Sequence, residues 1–399
     1  MTDRPAHNTT VHVDRLDELV KLVRQCGQSG QAMVDYGVAH GGLGHPPPAG
    51  HVRLIQYGGV IEHYERDFVV RVAAGAALGD VQAAMASRGQ FLPIEAEEDI
   101  SIGEIINHNV YGPLCVRFGA MRDLLLGLRY VDGQARDVHV GGRVIKNVAG
   151  YDLTRLMIGS LGQLGVIYEA TMQTYAIPRC VMSVDLSIED PVAIDHGMPL
   201  WLVTDAAPSW LCLHRQANRW IGQLGFFGRG SSCDVQLRQL ETLLQQMAGV
   251  HILGASHTTL ATVRAQGSAY RRWRRIAAAM VKIIVPPAVT GQTCRKLVEQ
   301  FGPYPLLSID ALPSRGCIWV GGALDALEAM ELDQLITPLL TAVGGVRVWH
   351  ARPTDGETIA PFGPSQADWP MLEKIKAAMD PRDIFNPGRF LPAQEPAAV

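Results

Sequence analysis

The stretch KNVAGYDLTRLMIGSLGQLGVIYEATMQTY, Lys146 to Tyr175, decides how the rest of the chain is read. Gly159, Gly162 and Gly165 fall three apart, between a helix-like run and a strand-like run. Ordered glycine costs conformational entropy, so glycines repeated at such a junction indicate positive backbone dihedrals or a ligand lying against bare backbone. A dinucleotide fingerprint requires the opposite order, strand then glycines then helix, because the pyrophosphate sits on the helix N-terminus. A Gly-x-x-x-x-Gly-Lys-[Ser/Thr] phosphate loop is absent.

Working outward, 399 residues fit two or three packed units. The 47% apolar and 19% charged content is that of an ordinary globular protein. Net charge is -4 with acids and bases mixed along the chain, so a nucleic-acid partner is not expected. The arginine-rich YRRWRR, Tyr270 to Arg275, is expected to be a solvated or subunit-facing surface. The opening MTDRPAHNTT lacks the apolar core of a signal peptide. The longest apolar run, Ala277 to Val289, is short, broken by proline and interrupted by Lys282, so no membrane insertion is expected. Seven scattered cysteines without a Cys-x-x-Cys argue against a disulfide framework, a zinc site or an iron–sulfur cluster. Buried free thiols are the expectation.

The N-terminal part alternates helix and strand. Asp14 is expected to cap a helix running to about Cys26, with Gly27 past its end, followed by a strand at AMV. The loop from Asp35 to Gly50 holds five glycines and three prolines in sixteen residues, which no regular element can cross. A strand at Asp67–Gly75 and a helix closed by Gly89 come next. Leu126 to Val140 reads as a hairpin turned by Asp132-Gly133, the pair suited to a two-residue type I′ turn. Beyond about residue 180, strand-like runs (VMSVDLSI, WLVTD, WLCLHR, MVKIIV, LLSID, CIWVGG) alternate with amphipathic helices. That pattern predicts an antiparallel sheet with helices on one face. A last helix stops at Pro381 and leads into a tight turn.

Four glycine-bearing segments, Tyr36–Gly44, Ser101–Arg122, Asn147–Val166 and Phe385–Arg389, stand in an order that resembles the flavin-binding domain of the vanillyl-alcohol oxidase and p-cresol methylhydroxylase (PCMH) superfamily. RFGAMRDLLLG, VIKNVAGYDLTRLMIGSLGQLGVI and MDPRDIFNPGRF are similar to the FAD-binding E subunits of bacterial glycolate oxidase, also called glycolate dehydrogenase. The resemblance covers residues 12 to 178 and the C-terminal return. It implies an α+β protein: a two-subdomain PCMH-type FAD-binding domain at 1–178 (subdomains about 1–65 and 66–178), an antiparallel-sheet cap at 179–345, and a return segment at 346–399.

The same resemblance implies a set of FAD contacts. Gly37, Gly41, Gly42 and Gly44 would turn successive amides toward the pyrophosphate. Gly103, Asn109, Gly112 and Pro113 match a second loop, and Gly119, Arg122 and Asp123 match a YGxxRD segment. Tyr151, Asp152, Gly159, Gly162, Leu164, Gly165 and Val166 match the backbone lying against flavin and adenine, and Asn386 a residue near the ring. Asp123 and Asp152 have the alternative of capping turns. His40, in the first loop, is counted with these FAD contacts, though it does not stand where covalent flavin attachment usually occurs. That loop, YGVAHGGLG, also lacks the family's usual serines, threonines or asparagines.

His350 and Arg352, in VWHARP, are the candidate proton acceptor and carboxylate partner for a small 2-hydroxy acid; a solvated strand end is the other reading. The His-x-His-x-Gly-Asp-Gly-Asn-type signature of related catalytic dehydrogenases is missing. The resemblance therefore implies an FAD-binding subunit working beside a homologous larger flavoprotein that oxidises glycolate or D-lactate, with an iron–sulfur subunit taking the electrons. It implies a cytoplasmic location, with any inner-membrane association made through partners. A stand-alone FAD oxidoreductase and a structural subunit with a decayed flavin site are the alternatives.

Overall fold

The computed structural model describes residues 8–35, 50–56, 58–143, 152–216, 219–265, 277–301, 308–351, 359–363 and 366–390. Gly37, His40, Gly41, Gly42, Gly44, Tyr151, Arg352 and the run Tyr270 to Arg275 lie outside them. The chain divides into two units. Unit 1 comprises Met1–Tyr111, Gly119–Ala176 and Ser365–Val399, and unit 2 comprises Gly112–Phe118 and Ile177–Pro364. Two expected boundaries are corrected by this division. Residues 346–364 belong to unit 2, because the strand that opens them hydrogen-bonds into its sheet. The seven residues Gly112–Phe118 also leave the first unit for the second.

Unit 1 opens with a parallel three-stranded sheet of β1 (Thr9–Val13), β2 (Met33–Asp35) and β3 (Val52–Gln56), in the order β1-β3-β2. Parallel neighbours need a crossover, and the helix Leu16–Ser29 supplies one between β1 and β2. It buries Leu19, Val23 and Cys26, one stripe at helical spacing, with Met33, Leu54, Val166, Ile384 and Phe385 in the same core. Arg15, not Asp14, occupies the N-cap, without a side-chain cap bond. The helix passes through Gly27 and ends at Gly30, whose φ of 68° gives the left-handed cap.

A second sheet of unit 1 holds β4 (Val60–Tyr64), β5 (Val69–Ala73), β7 (Leu125–Val131), β8 (Asp137–Gly141) and β9 (Val166–Gln173), antiparallel in the order β4-β5-β9-β7-β8. A separate antiparallel pair joins β6 (Gln90–Phe91) to β10 (Tyr175–Ala176). The first subdomain thus ends between Gln56 and Val60, a few residues before the expected boundary. Helices Leu78–Ala86 and Ile102–Asn107 share one buried cluster with the five-stranded sheet, and Ile375 and Met379 of the helix Trp369–Met379 pack against it.

The β7–β8 connection corrects the expected two-residue turn. Asp132 accepts from the amides of Gln134 and Arg136 through Oδ1, at 3.0 and 2.9 Å, and Ala135 takes φ 59°. This is a five-residue loop closed by an aspartate side chain. Gly133 is required for a different reason: a Cβ there would lie 2.6 Å from the Cα of Asp380.

Unit 2 is an eight-stranded sheet, ordered β14-β11-β13-β12-β16-β17-β15-β18, with every strand pair antiparallel. Its strands are β11 (Cys180–Ile188), β12 (Trp210–Gln216), β13 (Arg219–Gly228), β14 (Val250–His257), β15 (Ala279–Ile284), β16 (Ser308–Leu312), β17 (Cys317–Gly322) and β18 (Val346–Ala351). Alternate residues Val184, Leu186, Val281, Ile283, Ile318 and Val320 point into one core. That core also takes Trp201, Leu240, Leu297 and Ile336 from four helices, Val192–Leu202, Ser232–Leu244, Thr290–Phe301 and Ala326–Val343. WLVTD is not a strand: Trp201 and Leu202 end the first of these helices, and Trp201 is fully buried in the core. Among the described residues no helix is long and apolar enough to cross a membrane.

Candidate functional site

Three chain segments, remote in sequence, meet in unit 1. The first is the end of helix Ile102–Asn107, where Asn109 turns the chain at φ 49°. The second is the turn Gly159–Gln163, with Gly159, Leu161 and Gly162 all at positive φ (75°, 54° and 67°). The third is the return turn Asp383–Arg389, with Asp383 and Asn386 at φ 47° and 40°. The amides of Gly159 and Leu161 donate to the carbonyls of Ile106 and Asn107, each at 3.0 Å. Asn386 ties the third turn to the second: its Nδ2 donates to the Leu161 carbonyl at 2.7 Å, and its own carbonyl accepts from Gln163 Nε2 at 3.1 Å. The Asn386 amide donates to Met33 at the start of β2, 2.9 Å away. Met33 thus lies three residues before the glycine-rich loop that begins at Tyr36.

The return turn is held from below by a buried charge cluster. Lys376 is 1% exposed and places Nζ 3.0 Å from both Asp383 Oδ1 and the Phe385 carbonyl, and beside the buried carboxylate of Asp380. Asp380 in turn accepts from the amides of Ile384 and Phe385 at 3.2 and 2.8 Å. A lysine and aspartate withdrawn from water persist only when paired and hydrogen-bonded, and here the pairing shapes the backbone that presents Asn386. The sequence alone does not set Lys376 and Asp380 apart, because a lysine four residues before an aspartate also describes a solvated helix face.

The expected site residues sort differently around this cradle. Gly159, Gly162, Asn109 and Asn386 come together. A Cβ on Gly162 would lie 2.5 Å from Asn386 Nδ2, and one on Gly159 would touch Asn109 Cβ at 3.5 Å. Leu164 and Val166 are buried next in line, Val166 in the core below the three-stranded sheet. Gly165 is bare for its own neighbours, since a Cβ would meet the Tyr130 ring at 2.8 Å and the Val131 carbonyl at 3.0 Å. Gly103 likewise packs against Ala74, whose carbonyl accepts its amide at 2.8 Å.

Asp123 and Asp152 close turns. Asp123 accepts from the Ala120 amide at 2.9 Å, over Gly119 at φ 81°. Asp152 caps helix Leu153–Met157 through the Arg155 amide at 3.1 Å. Arg122 is solvent-exposed, 3.9 Å from Asp123. Gly112 and Pro113 start the short helix Cys115–Phe118 of unit 2. His350 sits near the end of β18, where Val281 opposes Trp349 and Met280 opposes Ala351. It is therefore the extra residue of a β-bulge, a device that re-aims a side chain.

One observation asks for a ligand. Asn109 Oδ1 is buried with no hydrogen-bond partner among the described residues, at the lip of the Gly159–Gly162 turn. A buried acceptor left without a donor costs about 1–3 kcal/mol. The hydroxyl and N–H groups of FAD are donors of the kind it lacks, and a turn at positive φ without side chains offers bare backbone beside it. The residues present fit the cofactor.

The comparisons agree with that geometry. Residues 8–141 match the family described as FAD binding domain. The chain carries an FAD-binding domain and resembles flavoproteins of the vanillyl-alcohol oxidase and PCMH superfamily. Glycolate oxidase subunit GlcE of Escherichia coli is 27% identical over 356 residues, covering 87% of this chain and 89% of that protein. Glycolate oxidase subunit GlcD of Bacillus subtilis is 31% identical over 168 residues, covering 41% of this chain and 36% of that protein. The solved alkyldihydroxyacetonephosphate synthase superposes with a TM-score of 0.70 at 14% identity, over 95% of this chain and 76% of its own. The flavoprotein's cofactor is FAD, and its architecture is the α+β PCMH-type domain with an antiparallel-sheet cap.

Proposed function

We propose that this flavoprotein is the FAD-binding subunit of a glycolate dehydrogenase-type complex, in which a 2-hydroxy acid such as glycolate or D-lactate is oxidised to the 2-oxo acid. The observation that carries the proposal is the likeness to glycolate oxidase subunit GlcE along nearly the whole of both chains. The shorter likeness to subunit GlcD supports a homologous larger flavoprotein as partner. Bound FAD supplies a two-electron acceptor. In this reading the chain's own contribution is to hold that cofactor: Asn109 accepts a hydrogen bond from it, the Gly159–Gly162 turn lies against it, and Asn386 fixes the turn. The loop glycines Gly37, Gly41, Gly42 and Gly44 would take the pyrophosphate. The electrons would leave through an iron–sulfur partner.

The test is purification of the tagged chain from its native host. Recovery with a larger flavoprotein and a cysteine-rich iron–sulfur protein, together with flavin absorbance, is the expected result. A chain that purifies alone and colourless refutes the proposal.

The bulge at His350 favours one further reading, direct oxidation of a 2-hydroxy acid by the lone chain. There His350 would accept the hydroxyl proton and Arg352 would pair with the carboxylate. Turnover of glycolate or D-lactate with an artificial acceptor by the isolated chain selects this reading, provided His350→Ala abolishes turnover while flavin stays bound.

A further inference from the structure

Unit 2 contains a second cluster of chemically competent side chains, unrelated to the flavin cradle. Cys180 opens β11, and its Sγ lies 3.7 Å from Nδ1 of His257, the last residue of β14. The other ring nitrogen, Nε2, is 3.1 Å from Oδ1 of Asp234, in the first turn of helix Ser232–Leu244. A carboxylate accepts and cannot donate, so Nε2 carries the proton and Nδ1 presents its lone pair to the Cys180 thiol. Nucleophile, base and orienting carboxylate thus stand in line.

A second thiol completes the arrangement. Cys180 is the register partner of Gly228 in the β11–β13 pair, and a Cβ built on Gly228 would lie 3.2 Å from Cys233 Sγ. Cys233 therefore sits above the residue directly across from Cys180, with the two thiols close enough to interact. Their environments differ. Cys180 retains 9% exposure beside a half-exposed His257 and Asp234, while Cys233 is fully buried and its thiol donates to the Phe226 carbonyl. Burial, with Cys180 and Asp234 alongside, pushes the Cys233 thiol up to about 12, so it stays protonated.

We propose that Cys180 and Cys233 form a peroxide-reactive dithiol in which Cys180 attacks and Cys233 resolves. His257 takes the Cys180 proton, and the thiolate displaces hydroxide from hydrogen peroxide, giving the Cys180 sulfenic acid; the proton and hydroxide leave as water. The Cys233 thiol then attacks the Cys180 sulfur, forming the disulfide and releasing a second water. Two thiols lose two electrons and one peroxide becomes two waters. Asp234 is a positioning residue that sets the imidazole tautomer. The product links the first residue of β11 to the N-terminal end of helix Ser232–Leu244.

The experiment treats the reduced full-length protein with hydrogen peroxide, digests it without reductant and maps the cysteine peptides. The expected first product, among seven cysteines, is a Cys180–Cys233 cross-link. Cys233→Ser should stop at a Cys180 sulfenic acid that dimedone traps. His257→Gln should slow that oxidation about a hundredfold. Asp234→Asn should slow it about tenfold, and Asp234→Glu should restore the rate. Oxidation of another cysteine first in the wild-type protein overturns the proposal, as does a Cys180 rate unchanged by His257→Gln.

Discussion

At the scale of single residues, the cradle depends on positions where a side chain is either missing or unusually placed. Gly162 has both conditions, a φ of 67° and no room for a Cβ beside Asn386 Nδ2. Gly162→Ala is expected to displace Asn386 and lower flavin occupancy several-fold, read as the flavin-to-protein absorbance ratio of the purified variant. Full occupancy with an unchanged ratio would separate the Gly162 turn from the cofactor. Gly165→Val is expected to act first on folding, because its added methyl groups meet Tyr130 and the Val131 carbonyl; the measurement is a fall in thermal midpoint of the flavin-free protein. The glycine spacing was legible in the sequence as a demand for bare backbone. What fills that bareness was not: a bound cofactor, a neighbouring strand and a turn-capping aspartate each exclude a Cβ equally well.

At the scale of elements, local patterns predicted most strands and helices because their apolar periods match the sheet and helix faces they bury. The misses have common physical causes. WLVTD contains β-formers, yet Trp201 fills the core from a helix, so tertiary packing overrode propensity. Asp132-Gly133 suits a tight hairpin, yet Asp132 accepts two amides and opens the loop, while Gly133 yields space to Asp380. The helix Trp369–Met379 shows the same dependence on distant partners, since its Lys376 is meaningful only with Asp380 and Asp383 around it. Lys376→Met removes one partner of a buried ion cluster and leaves two carboxylates without a cation. Such a loss costs about 3–5 kcal/mol, and chemical denaturation should register it along with diminished flavin binding through Asn386.

At the scale of the whole molecule, the described residues of unit 1 bury two apolar clusters and those of unit 2 one. In unit 2, burial lowers His214 from its ordinary 6.5 to about 4, opposed weakly by Asp185. Above 6.5 the imidazole is neutral in folded and unfolded chains alike. Between 6.5 and about 4 only the unfolded chain takes up the proton, so stability falls as pH drops through that window and levels off below it. The loss is on the order of 3 kcal/mol for a shift of this size. His214→Gln should flatten the acid limb of a stability-versus-pH curve, and an unchanged slope would place the proton uptake elsewhere.

The return of residues 369–389 to a unit begun hundreds of positions earlier carries a consequence for biosynthesis. A ribosome that has made the glycine turns has not yet made Lys376, Asp380 or Asn386, and the whole of the inserted sheet must emerge in between. If the cradle holds the yellow cofactor, its loading is expected to follow translation of the closing helix. Premature termination before that helix should yield a colourless product even with every strand of the first unit translated in full.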